Sequence, residues 1–172
     1  MSLSDSDVEG WTQLHNNIFV SSFEVASNVS KYHSFYETYG IKCVINMARE
    51  IGISSNQMVY YRQNQIQYFR FPLDDIDVAI PKETFEAIVK NYKRVPTLIH
   101  CHAGVNRSAV MAVAIFCKYE NIYNLHPVIL IEKMRLQSRK YFDENGKVKQ
   151  RMVPFLMNLP FERSVVRWCL GD

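Results

Sequence analysis

Short apolar runs alternate along the chain with longer segments that carry apolar residues at helical spacing. The short runs are rich in β-branched and aromatic residues, which is typical of buried strands, and they cover 18–22, 41–47, 66–73 and 97–101. The longer segments predict helices over 25–39, 81–92, 108–119 and 127–136, and one within 148–159. Because strands and helices alternate, we predict an α/β fold with a central, mostly parallel sheet of about five strands flanked by helices.

Length and composition place this chain among ordinary globular domains. Its 172 residues are 48% apolar and 22% charged, which favours a single domain over 11–172 after a flexible segment, 1–10. No apolar run approaches the ~20 residues that span a bilayer, and the polar start MSLSDSDVEG does not resemble an export signal. We therefore expect a cytoplasmic protein with no membrane partner.

Net charge and cysteine spacing narrow the function classes further. A formal charge of +3 favours anionic ligands locally but is too small to predict a nucleic-acid groove. The four cysteines, Cys43, Cys101, Cys117 and Cys169, show neither C-x-x-C pairing nor zinc-ligand spacing. We therefore expect reduced thiols and no metal site.

One stretch, TLIHCHAGVNRSAVMAVAIF (97–116), carries the candidate chemistry. Cys101 follows a predicted strand and precedes a predicted buried helix, and ligands of open α/β sheets bind at such strand ends. A loop that leads into a helix N-terminus points several backbone N–H groups at one spot, which creates an anion site. Gly104 permits a tight turn, and the planar guanidinium of Arg107 matches two oxygens of a phosphate-like group.

The same surroundings favour the thiolate form of Cys101, to which Ser108 is placed to donate a hydrogen bond. The pattern therefore predicts a nucleophile at the centre of an oxyanion-binding loop. The alternative is a buried structural cysteine beside a surface arginine. That alternative does not explain why the strand, Gly104, Arg107 and the apolar helix occur in register.

The segment HCHAGVNRS (100–108) resembles the H-C-x-x-G-x-x-R-S/T signature of cysteine-dependent protein tyrosine phosphatases, in its dual-specificity form. Further segments, among them NNIFVSS, YGIKCVINM and MRLQSRKYFDENG, extend the similarity from about 11 to about 159. The segments AGVNRS, FPLDD and ENGKVKQRM are most similar to those of the poxvirus-type enzymes. This similarity implies a viral origin as an alternative to a cellular one, and association with the virion in that case. The resemblance implies a protein tyrosine phosphatase-like fold and hydrolysis through a cysteinyl-phosphate, without metal or organic cofactor.

The resemblance also implies roles for the residues of this loop. Cys101 is the nucleophile, and the phosphate-binding positions are His102, Ala103, Gly104, Val105, Asn106 and Arg107. His100 orders the loop, and Ser108 assists departure of the cysteine sulfur in the second step. Asn106 either shapes the loop or contacts substrate. Arg139 either supports the loop from a neighbouring helix end or is a solvated surface residue.

A proton donor has to come from another loop, because no carboxylate lies close to Cys101 in sequence. The family's apolar-Pro-apolar-x-Asp run falls within FPLDDIDVAI on Asp75, which the resemblance makes the acid of the first step and the base of the second. Asp74 remains the alternative. Asp77 fits a turn or helix-capping role better.

Several substrate classes remain open at this point. The resemblance favours phosphotyrosine and phosphoserine or phosphothreonine in proteins, bound by a monomer or weak homodimer. An RNA 5′-phosphatase of the same superfamily is the first alternative, but its histidine-containing loop pattern has Ala103 here. Phosphoinositide phosphatases carry loop lysines that HAGVN lacks. A phosphopeptide-binding module without turnover is the alternative outside enzymes, although such modules usually lose the cysteine.

A second cysteine and the C-terminal segment are the remaining features of interest. Cys43, on a strand predicted to neighbour the loop, is a candidate disulfide partner for oxidised Cys101. The C-terminal segment FERSVVRWCLGD carries apolar residues that would be unfavourable in water. We expect it to pack back on the domain, with a partner surface as the alternative.

Overall fold

The computed structural model describes residues 10–171, which build a seven-stranded sheet with helices on both faces. The strand order across the sheet is β4-β3-β5-β2-β1-β6-β7. The strands are β1 Trp11–His15, β2 Ile18–Ser21, β3 Cys43–Ala48, β4 Gln67–Leu73, β5 Thr97–His100, β6 Lys140–Phe142 and β7 Val148–Gln150.

Seven α-helices connect and flank these strands within the described residues. They are α1 Phe23–Ser27, α2 His33–Tyr39, α3 Ser55–Gln63, α4 Lys82–Asn91, α5 Arg107–Ile115, α6 Pro127–Gln137 and α7 Leu159–Cys169. A π-helical segment, Phe116–Glu120, continues α5. All nine residues of α5 are buried, as the apolar run from Ala109 onward predicts.

The sheet has a parallel half and an antiparallel half. Strands β2, β3, β4 and β5 form the parallel half. In the antiparallel half β1 pairs with β2, β6 pairs with β1, and β7 pairs with β6. In the parallel half His100 lies opposite Ser21 on one side and Asn46 on the other. Strands β2, β3 and β5 therefore reach their carboxyl ends close together, where ligands of parallel sheets bind.

The sheet separates two hydrophobic cores. Ile45 and Ile99 face the larger core, which α4, α5, α6 and α7 cover. Val44 and Leu98, one position away on the same strands, face a smaller aromatic core beneath α1, α2 and α3. Because successive strand residues point to opposite faces, apolar neighbours such as Val44–Ile45 and Leu98–Ile99 are what a sheet covered on both faces requires.

The predicted α/β class and central sheet are confirmed, with differences in detail. Two of the additional strands, β6 and β7, have only three residues each, and three of the six pairings among residues 10–171 are antiparallel. The helix expected over 25–39 is divided into α1 and α2, and Gly40 caps α2 with φ 60°. Helix α3 was not predicted, because its buried residues are Gln57 and Tyr61 and no apolar stripe marks it.

The prediction of a helix within 148–159 was wrong. After β7 the chain runs in irregular conformation until α7 begins at Leu159. Leu156 has φ 57°, which is not helical, and its backbone N–H donates to the carbonyl of Val105. This segment therefore contacts the loop after β5 instead of forming a helix. Helix α7 packs onto α4, α5 and α6, as the expectation for the C-terminal segment requires.

The predicted flexible segment, apart from Gly10, lies outside the described residues. Gly10 itself is buried, and its carbonyl accepts a hydrogen bond from the backbone N–H of Ser22. Across residues 10–171, every helix falls short of the length and apolarity that a membrane crossing requires.

Candidate active site

The loop 101–106 joins the end of β5 to the start of α5 and surrounds the Cys101 sulfur. Cys101 is buried, and the backbone N–H of Gly104 donates a 3.2 Å hydrogen bond to its Sγ. The Ser108 Oγ lies 3.4 Å from the same sulfur. Both groups can stabilise negative charge on sulfur, so the loop is suited to hold a thiolate.

The loop is fixed on both flanks by backbone contacts. On one side Gly104 has φ +75°, and a Cβ there would lie 2.6 Å from the carbonyl carbon and oxygen of Ser21. The Phe23 N–H donates to the His102 carbonyl at 2.9 Å on the same side. On the other side the Leu156 N–H donates to the Val105 carbonyl at 2.8 Å. Only glycine permits this close approach to β2.

The Arg107 guanidinium is buried and held by an ion pair. Its two terminal nitrogens donate to the carboxylate of Glu50 at 2.7 and 2.5 Å, and Nη1 also donates to the Leu73 carbonyl at 3.0 Å. These hydrogen bonds hold the pKa of Glu50 near 2 despite the opposing effect of burial, so that Glu50 is ionised at neutral pH. The Arg107 Nε is buried and has no hydrogen-bond partner within residues 10–171.

The charge of Arg107 lies at the start of the helix that follows the loop. Burial opposes the charge of Arg107, but the hydrogen bonds with Glu50 outweigh it and raise the pKa of the guanidinium. The group is therefore positively charged at the N-terminus of α5, where the helix dipole also favours anions. Together with the loop amides it can bind a tetrahedral oxyanion.

His100 occupies the last position of β5 and is buried. Its Nδ1 lies 3.1 Å from the Cys101 carbonyl oxygen. Burial lowers the pKa of His100 to about 4, and the nearby charge of Arg107 acts in the same direction. The imidazole is therefore neutral at pH 7, which fits a loop-ordering role better than proton transfer.

Asp75 reaches this loop, whereas Asp74 turns away from it. The Asp75 carboxylate accepts hydrogen bonds from the side-chain amides of Asn106, at 3.0 Å, and Asn158, at 3.1 Å. Asp74 instead accepts from Arg49 Nε at 3.0 Å. This geometry favours Asp75 as proton donor. Asp77 is exposed and precedes Pro81, the N-cap of α4, by four positions, so it does not cap that helix.

Arg139 lies exposed just after α6, and its side chain makes no hydrogen bond or ion pair within residues 10–171. This placement does not fit the loop-supporting role. Arg135, one turn earlier, donates to the carbonyls of Phe155 at 3.0 Å and Leu156 at 2.8 Å. Because Leu156 in turn donates to Val105, Arg135 supports the loop through the 155–156 segment.

Cys43 is too distant to form a direct disulfide with Cys101. It lies opposite Thr97, four residues before Cys101, which corresponds to roughly 13 Å along the strand. A disulfide requires Cα atoms within about 7 Å. Burial also raises the pKa of the Cys43 thiol to about 11, so it is protonated and unreactive at neutral pH.

The structure brings together Cys101, Gly104, Asn106, Arg107 and Ser108 with Asp75 from a distant loop. Sequence reasoning missed three supporting residues, which are Glu50, Arg135 and Asn158. Glu50 follows the carboxyl end of β3, and ligands of parallel sheets bind at such strand ends. Its position in the sequence could therefore have identified it as a candidate. Asn158 precedes Leu159-Pro160, a pattern that predicts a helix N-cap. The sequence gives no signal for the contact between Asn158 and Asp75. Within residues 10–171 no cluster of three or more potential metal ligands occurs.

Comparison with known proteins places this chain in a family. The family described as "Dual specificity phosphatase, catalytic domain" matches residues 23–152. Dual specificity protein phosphatase 14 of Mus musculus is 32% identical over 125 residues, which cover 70% of this chain and 58% of that protein. Dual specificity protein phosphatase 18 of Mus musculus is 29% identical over 117 residues, covering 65% of this chain and 56% of that protein. The chain thus spans less than two-thirds of the length of these relatives.

Solved structures share the fold at low sequence identity. Human DUSP28 superposes with a TM-score of 0.68 at 13% identity, covering 94% of each chain. OH1 from the Orf virus, a tyrosine phosphatase described as having triple substrate specificity, superposes with a TM-score of 0.59 at 20% identity, covering 95% of this chain and 88% of its own. The family match across 23–152, with this fold and loop, shows that the chain belongs to the dual-specificity phosphatase catalytic-domain family.

Proposed function

We propose that this chain is a cysteine-dependent protein phosphatase that hydrolyses phosphotyrosine and phosphoserine or phosphothreonine. The observation that carries the proposal is the position of the Cys101 sulfur. It lies inside the loop, 3.2 Å from the Gly104 amide, with Arg107 at the start of the following helix. Asp75 is held at the same loop through Asn106. Nucleophile, oxyanion site and proton donor thus converge, and the family membership supports the same reaction.

In the first step the Cys101 thiolate attacks phosphorus while the bond from phosphorus to the leaving oxygen breaks. Asp75, protonated, gives its proton to that oxygen, so that an alcohol or phenol leaves. The loop amides and the Nε edge of Arg107 hold the three equatorial oxygens, whose charge they stabilise in the transition state. The product of this step is a cysteinyl-phosphate on Cys101.

In the second step water replaces the protein sulfur on phosphorus. Asp75, now ionised, accepts a proton from the water as its oxygen bonds to phosphorus and the phosphorus–sulfur bond breaks. Ser108, 3.4 Å from the sulfur, donates a hydrogen bond to the departing thiolate. Phosphate is released, and Cys101 returns to its starting form.

The substrate class that we favour is phosphorylated protein, recognised in the cytoplasm by a monomer or weak homodimer. The loop 102–106 contains no lysine that would bind additional phosphates of an inositol ring. The overall charge of +3 gives little attraction for a polyanion such as RNA. An RNA 5′-phosphatase and a phosphopeptide-binding module remain the alternatives that the experiment has to separate.

The proposal is tested by phosphate release from a peptide doubly phosphorylated on Thr and Tyr and, in parallel, from 5′-triphosphorylated RNA. Cys101→Ser is the blank and should release no phosphate, because serine is a far weaker nucleophile here. Loss of both peptide phosphates with little RNA turnover is the expected result. Preference for RNA would overturn the substrate class, and no turnover of either substrate by the folded, reduced protein would favour the binding module.

Asp75→Asn tests the assignment of the proton donor. It should slow hydrolysis of phosphopeptides by about 10²-fold, the usual size of general acid catalysis. An aryl phosphate with an acidic leaving group needs no proton and should lose much less. Asp74→Asn is the matched variant one position away. Leaving-group dependence in Asp74→Asn instead would move the acid to Asp74.

A further inference from the structure

Two cysteines outside the candidate active site share one cavity at the far end of α5. Cys117 lies in the π-helical segment that continues α5, and Cys169 is the last residue of α7. Both side chains are partly exposed, and both are free thiols. Together with Trp168 they line a cavity of about 250 Å³. The two thiols therefore face the same accessible space from different helices.

The register of α5 and α7 explains why the two side chains meet. The helices begin in contact, because the N–H of Asn158, the N-cap of α7, donates to the Oδ1 of Asn106, the N-cap of α5, at 3.0 Å. Cys117 follows Asn106 by eleven positions, and Cys169 follows Asn158 by the same eleven. Eleven residues correspond to about three helical turns. Each cysteine therefore lies on the face of its helix that the N-cap presents to the neighbouring helix, and the two helices pack together.

The contact between the thiols makes them chemically different. A hydrogen bond from Cys169 lowers the pKa of the Cys117 thiol, although burial opposes this effect. The same contact, together with burial, raises the pKa of Cys169. Because the thiolate is the reactive form of cysteine, Cys117 is the better nucleophile of the two. Cys169 is the protonated neighbour that can react with an oxidised Cys117.

We propose that Cys117 and Cys169 are a site of oxidative modification, where a hydroperoxide forms a reversible disulfide that links the end of α7 to the continuation of α5. With hydrogen peroxide, the Cys117 thiolate bonds to one oxygen and the O–O bond breaks, which leaves a sulfenic acid on Cys117 and releases the other oxygen as water after protonation. Cys169 then loses its proton and attacks the Cys117 sulfur, and the S–O bond breaks to release a second water. The two thiols lose two electrons, and the peroxide gains them.

The other two cysteines are badly placed to join this pair. Cys101 precedes α5, whereas Cys117 follows the nine residues of that helix, which corresponds to roughly 13 Å along its axis. Cys43 is buried on β3, and burial raises the pKa of its thiol to about 11. To form the S–S bond, the sulfurs of Cys117 and Cys169 have to approach to about 2 Å. Cys169 can make this movement because it ends its helix, and helix ends fray.

The disulfide should stabilise the docked position of α7. In the reduced protein, buried side chains such as Phe161 and Val165 hold this helix on the larger core. A link between Cys117 and Cys169 closes a loop of about fifty residues in the unfolded chain and so lowers the entropy of the unfolded state. The oxidised protein should therefore unfold at a temperature roughly 5–10 °C above that of the reduced protein.

The disulfide is tested in full-length Cys101→Ser, because the Cys101 thiolate would also react with peroxide. After treatment with hydrogen peroxide the intact mass should decrease by two hydrogens, and an alkylating agent added after denaturation should label Cys43 alone. Peptide mapping without reductant should find Cys117 joined to Cys169, in this variant and in the wild type. Dithiothreitol should restore both thiols and reverse the rise in unfolding temperature. The matched control, Cys117→Ser/Cys169→Ser in the same background, should show no such rise.

Single substitutions in the Cys101→Ser background test the order of the two steps. In Cys169→Ser the sulfenic acid on Cys117 has lost its thiol partner, so dimedone should trap it there. In Cys117→Ser the same treatment should leave Cys169 as a thiol. Trapping on Cys169 instead would overturn the assignment of Cys117 as the thiol that reacts with peroxide.

Two outcomes would overturn the inference as a whole. One is a peroxide-treated protein in which Cys117 and Cys169 remain free or link two separate chains. The other is a linked pair without any rise in unfolding temperature, which would mean that the disulfide does not stabilise α7. All of these measurements are made without phosphate turnover, so the proposed function succeeds or fails independently of them.

Discussion

Two buried basic residues of the site are stabilised in opposite protonation states. Arg107 remains charged because Glu50 and the Leu73 carbonyl accept its hydrogen bonds. Within residues 10–171 no carboxylate pairs with His100, and burial lowers its pKa to about 4, so it remains neutral. Arg107 therefore provides a fixed positive charge at the loop that surrounds Cys101. The neutral imidazole beneath the loop adds rigidity without a second charge.

The buried state of His100 predicts an acid-sensitive fold. Between about pH 6.5 and pH 4 the unfolded chain binds a proton at His100 that the folded chain does not, so the free energy of unfolding should fall as the pH decreases through this window. A shift of this size corresponds to about 3 kcal/mol. Urea unfolding at several pH values should show this loss in the wild type and a correspondingly smaller one in His100→Gln. Equal pH dependence in both proteins would contradict the prediction.

Among the structural elements, the loop after β5 depends most on one backbone conformation. Gly104 has φ +75° and lies against the backbone of Ser21 and Ser22 at the end of β2. Gly146, in the turn between β6 and β7, has φ +74° and open space around its Cα. The two glycines therefore share the left-handed conformation but differ in the contact, and each serves as a reference for the other.

Gly104→Ala should be much more harmful than Gly146→Ala. Both variants carry the cost of a left-handed alanine, about 1–2 kcal/mol. Only Gly104→Ala also forces a Cβ to within 2.6 Å of backbone atoms, so its free energy of unfolding should fall further and the proposed phosphatase activity should be lost. Unfolding curves and turnover of an aryl phosphate measure both effects. Similar losses in the two variants would show that the contact with β2 is unimportant.

The elements that sequence patterns predicted well are those with a strong local signal. β3, β5 and α5 are mostly apolar, and the signature around Cys101 is contiguous in sequence. The strand, the loop and the helix could therefore be predicted together. Helix α3 and the three-residue strands β6 and β7 bury too little apolar surface to leave a pattern. The supports of the site, such as Asn158, come from elements distant in sequence, and only the packing of the chain brings them to Asp75.

At the scale of the whole molecule, α7 links the stability of the larger core to the geometry of the site. Its buried residues Phe161 and Val165 belong to that core, and Trp168 packs on Phe85 of α4 with ring centroids 5.5 Å apart. Its N-cap, Asn158, contacts Asp75. The matched family region ends before α7 begins, yet the folded unit includes this helix. Docking of α7 should therefore be required both for stability and for the proposed catalysis.

Substitution within α7 tests this dependence. Phe161 is 1% exposed, and Phe161→Ala should lower the free energy of unfolding by about 3–5 kcal/mol, as expected for removal of a fully buried ring. Leu170, just after the same helix, is 50% exposed, so Leu170→Ala should change stability by no more than about 0.5 kcal/mol. Chemical denaturation of both variants provides the comparison. If Phe161→Ala unfolds like Leu170→Ala, α7 is not part of the cooperative unit, and a helix that detaches so easily could not hold Asn158 rigidly against Asp75.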